Sequence, residues 1–391
     1  MKNTVILFAF CLVFLPIQAQ QSKKIVVGAE RTNLYLPLLH GKRVAILTNQ
    51  TGRIGNENIV DFLHNKKIQI VTIFSPEHGF RGKADAGEHV GNSIDEQTGI
   101  PICSLYGGNA GKSLDSLMQS IDVLVFDLQD VGLRYYTYLT TMVHVMNACA
   151  VHHVKMIVLD RPNPNGFYVD GPILDMKYKS GVGSVPVPVV HGMTLGELAR
   201  MVNGEKWLPN RVQCDLTVIP CLHYTHAMHY QLPVKPSPNL PNMRSVYLYP
   251  SLCYFEATPV SVGRGTDAPF QQFGNPKMTG YSYSFTPRSM TGAKNPPLLN
   301  QRCFGTNLQV SPPNADLFKK GIDLSYLIAA YHNLHIGDAF FSSFFEKLIG
   351  VDYVRQMIEA GKSASEIKAR WKSDDEKFKK ERKPYLLYSE K

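Results

Sequence analysis

Two stretches decide the fold: Arg43-Val44-Ala45-Ile46-Leu47-Thr48, running into Asn49-Gln50-Thr51-Gly52, and Ile68-Gln69-Ile70-Val71-Thr72-Ile73-Phe74, running into Ser75-Pro76-Glu77-His78-Gly79. Both are β-rich and apolar on both faces, and an amphipathic helical segment, Asn58 to His64, lies between them. The pattern continues with Ile121 to Leu128 and Met156 to Leu159, separated by Tyr138 to Val151, a span long enough for a helix. Strands apolar on both faces that alternate with helices predict a parallel sheet covered on both sides. Ligands of such sheets bind beyond the carboxyl ends of the strands. Four polar segments therefore belong to one rim: residues 48–52, 75–79, 127–132 and 160–164.

Outward from this unit the texture changes. After Val169 the apolar pieces are short and broken by Pro and Gly, with one distinct helix start at Thr194-Leu195-Gly196-Glu197, whose Thr-x-x-Glu spacing is a capping box. A loop-rich band from Pro233 to Gly280 precedes helical periodicity over Ala339 to Gly350 and Asp352 to Ala360. About 370 residues beyond the first twenty exceed what one core usually organises. The expected division is 20–240 and 241–391.

At the other end, Lys2 precedes an apolar run from Val5 to Leu15 and a small residue at Ala19, the layout of a signal peptide spanning 1–19. That run is too short to span a bilayer, and no later segment is apolar enough, so the expectation is an exported, periplasmic or secreted protein without a membrane span. The net charge of +9 is mild for this length. Ten basic and six acidic side chains mix between Lys362 and Lys391, as on a solvated helix face rather than a nucleic-acid footprint. Cys214 and Cys221 end a strand-like segment and so stand too far apart to bond to each other.

Several motifs carry chemistry. Glu77-His78 follows a strand directly, so Glu77 is held at the rim as a candidate general acid or, more blandly, as a cap for the next element. Asp127, Gln129, Asp130 and Arg134, together with Tyr135 and Tyr136, form a dense set of hydrogen-bonding groups and rings suited to sugar recognition. In Gly263-Arg264-Gly265-Thr266 two glycines flank an arginine, which allows close approach of a carboxylate or phosphate, or ties a loop to its neighbour. Gly107 to Ser113 misses a phosphate loop by one residue, since Tyr106 stands where the first glycine is needed. His223, His226 and His229 lack companion ligands at a familiar zinc spacing and read as a polar loop. Nothing in the chain demands a metal or cofactor.

Taken in order, Thr48-Asn49-Gln50-Thr51-Gly52, Ser75-Pro76-Glu77-His78-Gly79-Phe80, Asp127 to Gly132, Arg134 to Tyr138, Asp160-Arg161-Pro162-Asn163-Pro164, Pro236-Ser237-Pro238-Asn239 and Gly263-Arg264-Gly265-Thr266 resemble the NamZ-type exo-β-N-acetylmuramidases, glycoside hydrolase family 171. The resemblance covers nearly the whole chain after the signal segment. It implies a Rossmann-like N-terminal domain, a smaller α+β C-terminal domain and a cleft between them. The implied reaction releases terminal β-linked N-acetylmuramic acid from the non-reducing end of peptidoglycan fragments. One position departs: Val262 stands where the family pattern often carries glutamate.

Glycoside hydrolysis needs an acid for the leaving oxygen and a second group on the other face of the sugar. The expected acid is Glu77, with His78 beside it; the second group is Asp130 or Glu256, or the substrate's own acetamido group. Arg264, failing that Arg134 or Arg161, is expected to pair with the lactyl carboxylate of muramic acid. Asn49, Gln129, Tyr135, Tyr136, Asn163, Asn239 and Thr266 complete the expected substrate contacts. A non-catalytic exported sugar-binding protein is the competing reading. An esterase is disfavoured because no Gly-x-Ser-x-Gly is present.

Overall fold

The computed structural model describes residues 23–77, 79–81, 93–105 and 110–391. The expected signal segment, His78 and Tyr106 to Asn109 lie outside the described residues. The N-terminal half is built on β1 (Val44–Thr48), the small hairpin β2–β3 (Arg53–Ile54, Glu57–Asn58), β4 (Ile70–Ser75), β5 (Ser93–Ile94), β6 (Pro101–Ser104), β7 (Val123–Asp127), β8 (Lys155–Leu159) and β9 (Leu216–Ile219). Seven of these form one sheet in the order β5-β6-β4-β1-β7-β8-β9, parallel except for β5. The chain leaves β1 toward β4 and later returns on its other side as β7, so the order reverses at β1. In doubly wound sheets that crevice is where ligands sit.

Alternation along each strand divides two cores. Val44, Ile46, Ile73, Val125 and Ile157 face Tyr35 and Leu39 of α1 (Thr32–Leu39) and Val60 and Leu63 of α2 (Ile59–Asn65). Ala45, Leu47, Phe74, Leu124, Phe126 and Val158 face α3 (Ala110–Met118), α4 (Tyr138–Val151) and α5 (Leu195–Gly204). The capping box forms as its spacing predicts: Thr194 Oγ1 accepts from Glu197 N at 3.2 Å, and Glu197 Oε2 accepts from Thr194 N at 2.9 Å. The segment of His223, His226 and His229 is a loop as expected, with His223 and His229 exposed, but His226 does not lie at its surface. It is buried, with Nε2 3.0 Å from Glu197 Oε1.

The smaller C-terminal part holds an antiparallel sheet of β10 (Gln272–Asn275), β11 (Tyr283–Phe285) and β12 (Cys303–Asn307), ordered β10-β12-β11. Around it lie α6 (Met243–Leu252), α7 (Asn314–Lys320), α8 (Ser325–Leu334), α9 (Phe345–Ile349), α10 (Tyr353–Glu359) and α11 (Ala364–Glu381). The helix expected over 339–350 is broken. Ser342 N–H donates to Ala257 O at 2.9 Å instead of to a carbonyl one turn back, and the bend buries Phe340 and Phe341. The mixed-charge segment is α11, which buries Ile367, Trp371 and Phe378 along one stripe. All six described cysteines are free and buried, Cys214 and Cys221 among them. Among the described residues no helix is long and apolar enough to cross a membrane.

The chain ends on the first half of the molecule. Tyr388 donates its hydroxyl to Asp160 Oδ2 at 2.5 Å, and Arg382 donates to the carbonyls of His191 and Gly192. The core behind α4 continues unbroken into the residues of α6, α8, α9 and α11.

Candidate active site

A cleft of about 300 Å³ opens at the carboxyl rim of the sheet, between the two parts of the chain. One wall comes from the turns after β4 and β7: Glu77, then Tyr135, Tyr136, Thr137 and Tyr138 at the start of α4. The opposite wall comes from Tyr249, Cys253, Glu256, Arg264 and Phe270, with Ser237 and Asn239 from the connecting loop. The rim position follows from the strands. β4 and β7 flank β1, so their C-terminal turns stand on either side of the crevice at the switch point.

Glu77 Oε2 accepts a hydrogen bond from Thr137 Oγ1 at 2.9 Å. Thr137 precedes the first residue of α4, but its side chain does not cap the helix, which leaves the hydroxyl for the carboxylate. Facing them, Glu256 lies in a 3₁₀ turn continuing α6 and pairs with Arg264: Nε and Nη2 reach Glu256 Oε1 at 2.8 and 2.6 Å. Cys253 Sγ lies 3.5 Å from the other oxygen of Glu256. The Arg264 guanidinium also stands 5.2 Å from the Phe270 ring centroid, a cation–π distance. The Glu256 carboxylate lifts the Arg264 pKa despite its burial, so this guanidinium is a fixed positive charge. Its Nη1 has no partner among the described residues.

Tyrosines give the cleft its apolar surface. Tyr135 and Tyr136 anchor their hydroxyls on the carbonyls of Tyr249 and Pro236 at 3.0 and 2.9 Å, and the rings of Tyr136 and Tyr138 meet edge to face at 4.7 Å. Burial pushes the hydroxyls of Tyr135 and Tyr136 well above their ordinary pKa, so they stay neutral. Asn239 also lines the cleft while its amide donates to Gly292 O at 2.9 Å.

Other expected contact residues lie beneath or beside this cleft. Asn49 is buried and donates to the Tyr138 hydroxyl at 2.6 Å while accepting from Thr51, so it positions a ring from below. Gln129 donates to the carbonyls of Asp130 and Pro162. Asn163 donates to Met193 O and occupies the space where Gly132, at φ +82°, lacks a side chain. Asp130 accepts from Gly132 N at 2.5 Å and has its pKa pushed up to about 7 by burial, although backbone N–H groups of residues 131–133 oppose the rise. Arg134 is fully buried and donates to four carbonyls, of Pro172, Val187, Leu348 and Ile349. Arg161 is locked by two bonds to Asp127, at 2.6 and 2.9 Å, and one to Arg53 O. Thr266 lines the adjoining cavity, with its hydroxyl on Gly263 O and accepting from Gln272.

Of the three candidate arginines, Arg264 alone therefore borders the cleft. The sequence alone does not mark Thr137, Tyr138, Tyr249, Cys253 or Phe270 as site residues. Thr137 and Tyr138 belong to the ring-rich segment 134–138, and their place at the start of α4 is a readable signal; the other three carry none. Among the described residues no group of His, Cys, Asp and Glu could hold a metal ion.

The chain's relatives agree with this architecture. Residues 44–244 match the family described as exo-beta-N-acetylmuramidase NamZ, N-terminal, and residues 247–388 match its C-terminal counterpart. The peptidoglycan beta-N-acetylmuramidase NamZ of Bacillus subtilis is 38% identical over 381 residues, covering 90% of this chain and 89% of that protein. Crystal structures of two DUF1343 family proteins from Bacteroides fragilis superpose with TM-scores of 0.87 and 0.79, at 59% and 28% identity. They cover 94% and 93% of this chain, and 99% of each crystallised chain is matched. With both halves matched and more than a third of its residues shared with a curated member, the chain belongs to the NamZ exo-β-N-acetylmuramidase family.

Proposed function

We propose that this protein is an exo-acting glycoside hydrolase that releases terminal β-linked N-acetylmuramic acid from the non-reducing end of peptidoglycan fragments. The observation that carries the reading is a single cleft, in a chain of this family, with Glu77 on one wall and the Glu256–Arg264 pair on the other. Glu77 is the general acid: it follows a buried strand, and the Thr137 hydroxyl donates to its carboxylate. Glu256 is the second carboxylate, acting on the other face of the sugar either directly or by orienting the 2-acetamido group. Arg264 offers Nη1 to the lactyl carboxylate, the group that distinguishes muramic acid from glucosamine. The tyrosine-lined walls receive the apolar face of the ring. The first twenty residues support export, so the reaction runs outside the cytoplasm, in the periplasm or the medium.

Incubation of the mature protein with a chromogenic β-N-acetylmuramide and its N-acetylglucosaminide counterpart tests this reading. Release from the muramide alone, reduced by 10³-fold or so in Glu77→Gln, is expected on the scale of lost acid catalysis. No release from either substrate sinks the proposal. Arg264→Ala is expected to erase the preference for the muramide over the glucosaminide, and unchanged selectivity would refute the role given to that side chain.

A further inference from the structure

A second cavity, of about 520 Å³, adjoins the cleft and shares a wall with it. The shared wall is the turn at residues 263–266: Arg264 lines the cleft, while Gly265 and Thr266 line the second cavity. This wall is rigid. Gly265 takes a left-handed conformation at φ +78°, and a Cβ there would lie 2.5 Å from both Arg288 O and the Pro296 ring.

The opposite side is strand β11. Tyr283 and Phe285 are two residues apart and so stand on one face of the sheet, with ring centroids 6.3 Å apart and planes 37° apart. Both rings lean across β12 toward β10. The Tyr283 hydroxyl reaches Gln272 Oε1 at 2.5 Å, and a Cβ on Gly274 would come within 3.1 Å of the Phe285 ring. The crossing is possible because Gly305, the β12 residue opposite Tyr283, has no side chain. Gln272 in turn donates to Thr266 Oγ1 at 2.6 Å, which ties the Tyr283 ring to the shared wall. Both rings remain partly exposed and border the cavity. On its rim Asp267 is exposed and has no partner among the described residues.

From these observations we infer that the second cavity is a binding subsite for the next sugar of the glycan strand, on the leaving-group side of the bond that is cut. Two fixed, side-by-side rings suit the apolar face of a pyranose, and a free carboxylate and Gln309 at the edge suit its hydroxyl and acetamido N–H groups. The two sites meet at this turn, so a strand whose terminal sugar meets Arg264 would cross the turn past Thr266 to reach the rings. The inference rests on the muramidase reading. It explains how an enzyme that cuts one sugar at a time would favour a glycan over a simple muramide.

Calorimetry reads the subsite without turnover. A peptidoglycan tetrasaccharide and a methyl β-N-acetylmuramide are titrated into Glu77→Gln, alone and combined with Tyr283→Ala or Phe285→Ala. The expected result is a tetrasaccharide Kd about tenfold weaker in each double variant, with the methyl muramide bound equally by all three. The same tetrasaccharide Kd throughout, absence of tetrasaccharide binding, or equal weakening of both ligands would overturn the subsite. Failure of the muramidase reading shows separately, as a wild-type protein that leaves the chromogenic muramide intact.

Discussion

Thr137 and Asp130 lie at two depths of the same wall, and each has a measurable consequence. Thr137→Val keeps the shape of the side chain and removes the hydroxyl that meets Glu77 Oε2. Since that side chain does not cap α4, the helix should not change. The expected outcome is a kcat about tenfold lower on the muramide with KM nearly unchanged, a displaced limb in the pH–kcat profile and an unaltered Tm. A raised KM with a normal pH profile would instead mean that Thr137 only shapes the cleft. Asp130 presents a different problem: one oxygen is bound by the Gly132 N–H, while Oδ1 is buried without a partner. Its folded pKa is raised to about 7, so the native state holds a proton that the unfolded chain releases near pH 4. Stability from this group therefore falls as pH rises between those values. Asp130→Asn keeps an acceptor for Gly132 and removes the titration. Urea unfolding should show it more stable than wild type by ~1–3 kcal/mol at pH 8, with little difference at pH 4.

The parallel strands and their helices were legible because their signal is local: a run apolar on both faces must be covered on both faces, wherever it ends up. The α4 span and the Thr194 capping box were readable for the same reason. The helix expected over 339–350 was not, because its interruption depends on Ala257, more than eighty residues away. Of the candidate site, the sequence picks out Glu77, Tyr135, Tyr136, Asn239, Glu256 and Arg264, and the fold gathers these around one cleft. The site was not legible at the arginines as a class. Arg134, Arg161 and Arg264 all sit beside glycine, proline or aromatic residues, and only the folded chain shows that Arg134 and Arg161 are held by carbonyls and a carboxylate away from the cleft, whereas Arg264, paired with Glu256, borders it. Arg134 joins elements distant in sequence: its donors meet Pro172 and Val187 from the first half and Leu348 and Ile349 at the end of α9. Arg134→Met should leave those carbonyls unpaired in a dry interior and cost at least ~3 kcal/mol, read as a lower urea midpoint. A loss below 1 kcal/mol would show that the carbonyls find other donors.

Across the whole molecule, buried acids set the pH at which the fold is most stable. Burial raises Asp130 to about 7, Asp160 to about 6 and Asp375 to about 8. Each favours the protonated native state, so each contribution declines as pH climbs from about 4 through the folded value. His191 acts in the opposite direction. Its buried ring is pushed down to about 3 by desolvation and by the Arg382 and Arg134 charges, so the unfolded chain takes up a proton below about 6.5 that the native state refuses. One histidine does not cancel three carboxyls between pH 5 and 8, and stability should fall across that window. Below it the carboxylates nearer the surface take over: Asp122, bound to Arg43, and Glu366, capping α11 through Ser363, are both lowered to about 2, and their contributions vanish as pH drops from 4 toward 2. Together these terms place maximum stability near pH 5. Urea midpoints measured at unit intervals from pH 3 to 8 should peak there, and the decline toward pH 8 should be shallower in Asp130→Asn. A maximum at pH 7 or above would mean that the buried carboxyls are ionised and solvated in the native protein. The walls around Asp130 and Asp160 would then be more open to water than the packing of Tyr136, Tyr138 and Tyr388 implies.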